Sequence, residues 1–201
     1  MNVQSGKRGR GRPAQGDKQR RILDAALALF AERGFHGTAV PLVAEAAGVA
    51  TGTIYHYFAN KEALVNAVFR DAKARLRVAV YADLDSTQEP EALFREVWRR
   101  LATFARADPV RFRFLELQDH VPYLDAESRE FELNVLVPLW LAGRSIASRG
   151  GARDMPVEAL MALVWGALVG LIKAERLGYI QLDDDTLARA GEACWRATQK
   201  S

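Results

Sequence analysis

Apolar residues recur at spacings of three and four along most of this chain, and that period predicts an all-α protein of about nine helices. The first helix is expected over residues 17–33, where Ile22, Ala25, Ala26, Leu29 and Phe30 share one face and Arg33 followed by Gly34 gives a stop signal. A short second helix is expected over 40–47. Its inner face is Val40, Val43, Ala44 and Ala47, and Pro41 sits in a first turn that does not need its missing N–H. Of Thr38 and Ala39, only Thr38 has a side chain able to cap this helix. Gly48 ends it, and a third helix over about 51–58 turns Ile54 and Phe58 inward. Asn60 then caps a fourth helix reaching to about residue 81.

Further helices follow. Pro90 opens the fifth, with Leu93, Phe94, Val97, Trp98, Leu101 and Phe104 on its apolar side. Asp108-Pro109 caps and opens a short sixth helix holding Phe112, Phe114 and Leu115, and His120 to Pro122 break the pattern. The seventh spans about 124–149, with a kink expected at Pro138. The eighth, about 156–177, is apolar nearly all round from Ala159 to Ile172 and should be buried on most sides, with Gly166 and Gly170 open to a close neighbour. The ninth, about 184–198, begins with acids that suit a helix N-terminus.

Two short helices joined at Gly48-Val49 follow the grammar of a helix-turn-helix, in which the second helix is free to enter a DNA groove. With Ile54 and Phe58 inward, Thr51 and Tyr55 form one outward row, Gly52 and His56 lie beside it, and Thr53 and Tyr57 form a third. This face carries hydroxyls, an imidazole and no acid, and Gly52 allows close approach to base edges. The N-terminus of the fourth helix, with Lys61 alongside, suits a phosphate.

Charge strengthens this picture. The 201 residues carry a net +3, yet residues 1–60 hold 8 Lys and Arg against 4 Asp and Glu, and the remainder carries −1. Positive charge therefore sits with the helix-turn-helix. Residues 1–16 read as a disordered basic arm whose Arg10-Gly11-Arg12-Pro13 resembles an AT-hook, a motif in which extended Arg side chains follow a narrow minor groove; a solubilising tail is the alternative. One cysteine, Cys194, excludes an internal disulfide framework and fits a reducing cytoplasm. The start is no signal peptide, and the charge-free run Ala159 to Ile172 falls short of the roughly 20 residues a bilayer needs, so no membrane role is expected.

Ile22-Leu23-Asp24-Ala25-Ala26, Leu29-Phe30-Ala31-Glu32-Arg33-Gly34-Phe35, Thr38, Val43-Ala44-Glu45-Ala46-Ala47-Gly48-Val49, Gly52-Thr53-Ile54-Tyr55-His56-Tyr57-Phe58 and Asn60-Lys61-Glu62-Ala63-Leu64 together resemble the DNA-binding domain of the tetracycline-repressor-like (TetR/AcrR) family. The resemblance implies a dimeric, all-helical, ligand-controlled transcription factor, usually a repressor. It places Thr51, Gly52, Tyr55 and His56 at base contacts, and Thr38, Thr53, Tyr57 and Lys61 where the family contacts phosphates or braces the recognition helix. The sequence departs from the family at Ala39, Pro41 and Ala50-Thr51, where a Ser or Thr cap, an Arg and a Ser-Lys pair are frequent. The basic arm is therefore expected to supply more of the phosphate attraction, through Arg10 and Arg12 among others.

The expected organisation is an arm (1–16), a helix-turn-helix domain (17–62) and a helical ligand-binding and dimerisation domain (63–201). The resemblance favours a homodimer through the last two helices (about 156–177 and 184–198), a double-stranded DNA operator as partner and an unidentified small-molecule effector. Trp98, Phe112, Leu115, Phe131, Trp140 and Trp165 are candidates to line the effector pocket, as are Phe104 and Phe114. Glu116, Asp119 and His120 form a weak candidate polar cluster. No nucleophile with a recognisable base, phosphate loop or metal-ligand spacing is present, so no cofactor and no enzyme activity are expected. The competing readings are a nucleoid-associated architectural protein and an all-helical enzyme with a vestigial helix-turn-helix.

Overall fold

A computed structural model of the chain describes residues 15–85, 87–117, 120–148 and 154–200. Among the described residues there are nine α-helices and no strand: α1 (Gln15–Arg33), α2 (Val40–Ala47), α3 (Thr51–Tyr57), α4 (Lys61–Tyr81), α5 (Pro90–Ala107), α6 (Pro109–Leu117), a 3-10 turn (Val121–Tyr123), α7 (Ala126–Ser148), α8 (Val157–Arg176) and α9 (Asp184–Thr198). The arm with Arg10 and Arg12, and Asp119 of the polar cluster, lie outside the described residues.

Side-chain oxygens start several helices where the sequence places them. Asn60 accepts from Ala63 N at the head of α4, Asp108 from Arg111 N at α6, Asp125 from Ser128 N at α7 and Asp183 from Thr186 N at α9. The start of α2 differs. Its N-cap is Ala39, with no side-chain cap. The Thr38 hydroxyl, expected to cap α2, is 1% exposed and donates instead to the carbonyls of Leu29 (3.1 Å) and Gly34 (2.8 Å). Its one proton is shared between a carbonyl near the end of α1 and the carbonyl just beyond that helix, so the hydroxyl ties the α1–α2 connection back to α1. The third helix also ends one residue early, and Phe58 is its extended C-cap.

Helices α1 to α3 close on one another around Ile22, Ala26, Phe30, Val43, Ala44, Ala47, Ile54 and Phe58, all buried. This core runs without a break into α4 through Leu64, Val65, Val68 and Phe69, and on into α5 and α6. Phe30 of α1 meets Phe114 of α6 with ring centroids 6.4 Å apart, so the helix-turn-helix rests on the body rather than hanging from α4 alone. In the body, Trp98 of α5 donates its indole N–H to the Leu187 carbonyl of α9 at 2.8 Å. Gly191 makes that contact possible, since a Cβ there would stand 2.7 Å from the Trp98 ring.

The expectation that α8 is buried on most sides fails within one chain. Only Leu160 and Leu168 of α8 are buried, Leu163 is 56% exposed, and a Cβ at Gly166 or Gly170 would meet nothing within 4 Å. Helix α8 is 20 residues long and an 18-residue stretch of it has a mean hydropathy of 1.8, enough by length and composition alone to cross a membrane, where its charge-free run falls short. Helix α7 continues through Pro138 and carries a second uncovered apolar row, with Leu133, Val137 and Leu141 exposed at four-residue intervals.

Candidate nucleic-acid interface and effector cleft

Gly48 sets the turn. Its φ of 62° lies in the left-handed region, and its N–H returns to the Ala44 and Glu45 carbonyls, so the chain leaves α2 sharply and restarts at α3. Thr53 N closes the first turn of α3 on the Ala50 carbonyl at 2.8 Å, without a side-chain cap. With Ile54 (1% exposed) and Phe58 (6%) locked inward, the opposite face is fixed. Tyr55 is 52% exposed, and His56 and Gly52 are exposed beside it. A Cβ at Gly52 would meet nothing within 4 Å, so the backbone there is open to close approach. Thr51, Thr53 and Tyr57 are half-buried at the margins, and Tyr57 packs against the core and the Phe58 ring.

The predicted site residues thus fall into two groups. Thr51, Gly52, Tyr55 and His56 form one open surface. Thr38 is buried in the α1–α2 connection with its hydroxyl committed to backbone carbonyls, a brace rather than a surface donor. Lys61 is half-buried, and its ammonium lies 4.2 Å from the centre of the Phe35 ring, which holds the N-terminus of α4 against the α1–α2 connection.

Arg21 escaped the sequence reading. From α1 its guanidinium donates to the Ala47 carbonyl and, at 3.1 Å, to the Gly48 carbonyl. It thereby takes up the free carbonyls and the negative dipole end of α2, and fixes the turn from which α3 departs. By spacing alone Arg21 was one more basic residue on the solvent side of the first helix. Its partners come from 26 and 27 residues away, which local pattern does not show. The departures at Pro41 and Ala50-Thr51 leave α2 and α3 without Lys or Arg, and Arg21 turns its donors to the backbone.

Head and body are joined by a polar and an aromatic contact. Arg20 of α1 donates to Asp71 of α4 at 2.7 Å, and Asp71 also meets buried Arg111 of α6 at 3.2 Å. Burial alone would push the Asp71 carboxyl up. The hydrogen bond and charge of Arg20, with the charges of Arg75 and Arg111, outweigh it and hold the carboxyl below its ordinary value. On the other side, Tyr123 stacks on Phe35 with centroids 3.7 Å apart, and its hydroxyl lies 2.6 Å from His36 Nε2. Buried Asn66 of α4 holds the same turn from beneath, donating to the Tyr123 carbonyl at 2.8 Å and accepting from Asp125 N at 2.9 Å.

The aromatic candidates for an effector pocket do not converge on one cavity. Trp98 is buried in the α5–α9 contact, and Leu115 is buried. Trp140 donates to Glu158 at 2.7 Å beneath the Arg144 guanidinium, and Phe131 lies 5.7 Å from that of Arg77. Phe104 and Phe114 are core residues. These rings are used in holding helix against helix, which is the commoner fate of an aromatic on an apolar face. His120 likewise points into the core, stacked 4.5 Å from Phe114, and no group of three metal-ligating side chains occurs among the described residues.

Two clefts remain. The larger, about 370 Å³, lies at the α4–α5 connection among Asp83, Asp85, Arg95, Glu96, Arg99 and Arg100. Its charges answer one another: side-chain hydrogen bonds from Arg99 and Arg100 hold Glu96 at about 2. The smaller, about 230 Å³, lies between α5, α6 and α8, and Phe112 is the one pocket candidate that lines either cleft. Trp165 packs behind it, 5.5 Å from the Phe112 ring.

Comparison with known proteins agrees with this architecture. A family model described as bacterial regulatory proteins, tetR family, matches residues 22–68, and one described as tetracyclin repressor-like, C-terminal domain, matches residues 69–200. The chain is 34% identical to the HTH-type transcriptional repressor KstR2 of Rhodococcus jostii over 147 residues, covering 68% of this chain and 69% of that protein. It is 37% identical to the HTH-type transcriptional regulator BetI of Escherichia coli over 81 residues, 40% of this chain and 42% of that protein, so this second match spans less than half of its relative. Among solved structures, a TetR family transcription regulator from Shewanella sp. PV-4 superposes with a TM-score of 0.79 at 26% identity, covering 92% of this chain and 99% of that one. An exposed, polar third helix on a locked helix-turn-helix, and family matches that together run from residue 22 to residue 200, place this chain in the TetR family of bacterial transcriptional regulators.

Proposed function

We propose that the chain is a ligand-controlled repressor of the bacterial cytoplasm, acting as a homodimer on a near-palindromic operator. The head, residues 17–62, presents Thr51, Gly52, Tyr55 and His56 to base edges in the major groove, with Thr53, Tyr57 and Lys61 at its margin and the arm residues Arg10 and Arg12 adding attraction to the backbone. The body, residues 63–201, pairs with a second copy through α8 and α9 and receives the effector. The observation that carries this reading is the division of α3: one side is locked by Ile54 and Phe58, and the other is open and free of acids. The exposed apolar length of α8 supports the pairing, and the similarity to a named repressor supports the sign of regulation.

The effector acts by binding two dimer states unequally, because a ligand of equal affinity for both shifts nothing. The Phe30–Phe114 contact and the Arg20–Asp71–Arg111 chain are routes by which a change in α6 reaches α1, and the Phe35–Tyr123 stack ties the turn after α6 to the α1–α2 connection. Selection of bound duplexes from a random DNA pool tests the reading. The expected product is an inverted pair of short motifs whose centres are about one helical turn, 10–10.5 bp, or a multiple of it apart. Enrichment of A·T-rich sequence without a paired motif would instead favour an architectural protein.

A further inference from the structure

The large apolar side chains that α8 and α9 leave open are few for a stable pair of chains, which takes roughly 800 Å² from each partner. Leu163 is the one exposed along α8, and α9 exposes none. On α9, Trp195 is turned to Phe94 with centroids 5.3 Å apart, and Arg189 and Asp185 form an exposed ion pair at 2.8 Å. The turn between the two helices adds Leu177, Tyr179 and Ile180, at one end only. Helix α7 leaves more in the open along its length: Leu133, Leu136, Val137 and Leu141.

The row on α7 is symmetric about its middle. Glu130 and Leu133 precede Val137 by seven and four residues, and Leu141 and Arg144 follow it by four and seven. At 3.6 residues per turn all five point within about 40° of one direction, and all five are exposed. The row is thus apolar in the middle, acidic at one end and basic at the other. Neither Glu130 nor Arg144 has an ion-pair partner among the described residues, and the Arg144 guanidinium rests 4.8 Å from the Trp140 ring. A copy of α7 laid antiparallel on α7 and crossing at Val137 sets Leu133 against Leu141 and Glu130 against Arg144, twice over. Such self-complementarity is what a two-fold interface requires, because both copies use the same patch. Trp140 also donates to Glu158 at 2.7 Å, which joins α7 and α8 in one layer. A two-fold axis lying between two such layers and running across α7 stacks α7 on α7 and α8 on α8 in a single operation.

We propose that a second copy of this chain docks on α7 as well as α8, with the two-fold axis passing at Val137 and ion pairs from Glu130 of each copy to Arg144 of the other. The proposal rests on the homodimer reading and deepens it: α8 stays in the contact, α7 joins it, and α9 lies at the margin.

Charge exchange on the full chain, read by sedimentation, tests it. Glu130→Arg and Arg144→Glu each set like charges against one another across the axis, and each should weaken the dimer at least about threefold. The double variant restores opposite charges and should return the dimer to within about twofold of the wild type. Within one chain the two residues stand about 20 Å apart along α7, so rescue reports a contact between copies. Oxidation gives a second readout. Val137→Cys in a Cys194→Ser background should link the two copies, since Cα atoms at the axis come within the roughly 4.4–6.8 Å that a disulfide spans. A double variant no better than the single ones, or no linkage through position 137, would overturn the proposal. Should a charge variant fail to fold, the linkage decides it. If Leu163→Glu breaks the dimer while every α7 variant keeps it, the proposal falls and pairing through α8 and α9 stands. A wild-type chain that sediments as a monomer at micromolar concentration overturns both.

Discussion

The two ends of this molecule handle their apolar residues in opposite ways. In the head, α1 to α3 bury Ile22, Phe30, Val43, Ile54 and Phe58 almost completely, and what remains outside is mostly polar, with Leu42 of α2 an apolar exception. In α7 and α8, Leu133, Val137, Leu141 and Leu163 stand in the open. A finished surface with a patterned polar face is suited to reading a polar lattice of base edges, where specificity comes from donors and acceptors. An unfinished apolar surface is suited to meeting another apolar surface, where specificity comes from shape. The head buries its apolar residues against itself and against α4 and α6, whereas the exposed rows of α7 and α8 have no cover among the described residues.

That contrast can be broken experimentally. The largest effect is expected from Leu163→Glu, which sets a charge in the proposed pairing surface. Sedimentation should show the dimer replaced by monomer at micromolar concentration, with helicity retained because Leu163 is 56% exposed in the single chain, and with a lower melting temperature as the stabilisation by the partner is lost. An intact dimer would move the interface away from α8. Tyr55→Ala comes next, with operator affinity expected to fall about tenfold to hundredfold, equivalent to about 1–3 kcal/mol, with unchanged dimer and unchanged helicity. An unaltered footprint would remove Tyr55 from the reading surface.

Asp71→Asn probes the joint between the halves. It leaves buried Arg111 short of one partner, so a loss of about 1–3 kcal/mol is expected, seen as a fall in melting temperature of roughly 2–4 °C per kcal/mol. The sign with pH follows from the carboxyl's lowered pKa. Its contribution is fully present above the ordinary value of 3.8 and is lost as pH falls below it towards the folded-state value. The difference between wild type and variant should therefore be constant near neutrality and shrink in acid, and a difference that grew in acid would contradict the assignment. Gly48→Ala should cost about 1–2 kcal/mol, because a Cβ is strained at φ 62° and would stand 2.7 Å from Arg21 Nη2, pushing aside the guanidinium that holds the Ala47 and Gly48 carbonyls. Lost DNA affinity without lost helicity in this variant would show that the turn sets the angle of α3.

The head was legible in the sequence because its signals are local. Gly34 and Gly48 end helices, Asn60 caps one, and Ile54 with Phe58 sets the faces of α3 within a few residues. What was missed there is long-range: Arg21 reaches across the turn, and Thr38 serves α1 rather than α2. The body was legible as helices but not as a site. Trp98, Leu115, Phe131, Trp140 and Trp165 resemble pocket residues by type, and only packing shows that each is engaged with another helix or buried in the core. Periodicity also marks α8 as a helix to be covered without saying by what. An apolar stripe has the same spacing whether its cover belongs to the same chain or to another.

The Tyr123–His36 contact has a consequence in time. The two residues are 87 positions apart, and a ribosome adds roughly 5–20 residues each second. The helix-turn-helix therefore leaves the ribosome on the order of ten seconds before the turn that packs on Phe35 does. During that interval Phe35 and the α6-facing side of Phe30 have no permanent cover, and the nascent head must rely on its own small core. A chain stalled before residue 123 would carry the recognition helix on the head's own core, without the Phe35–Tyr123 stack that joins head to body. The joint between head and body thus waits for synthesis of more than half of the protein.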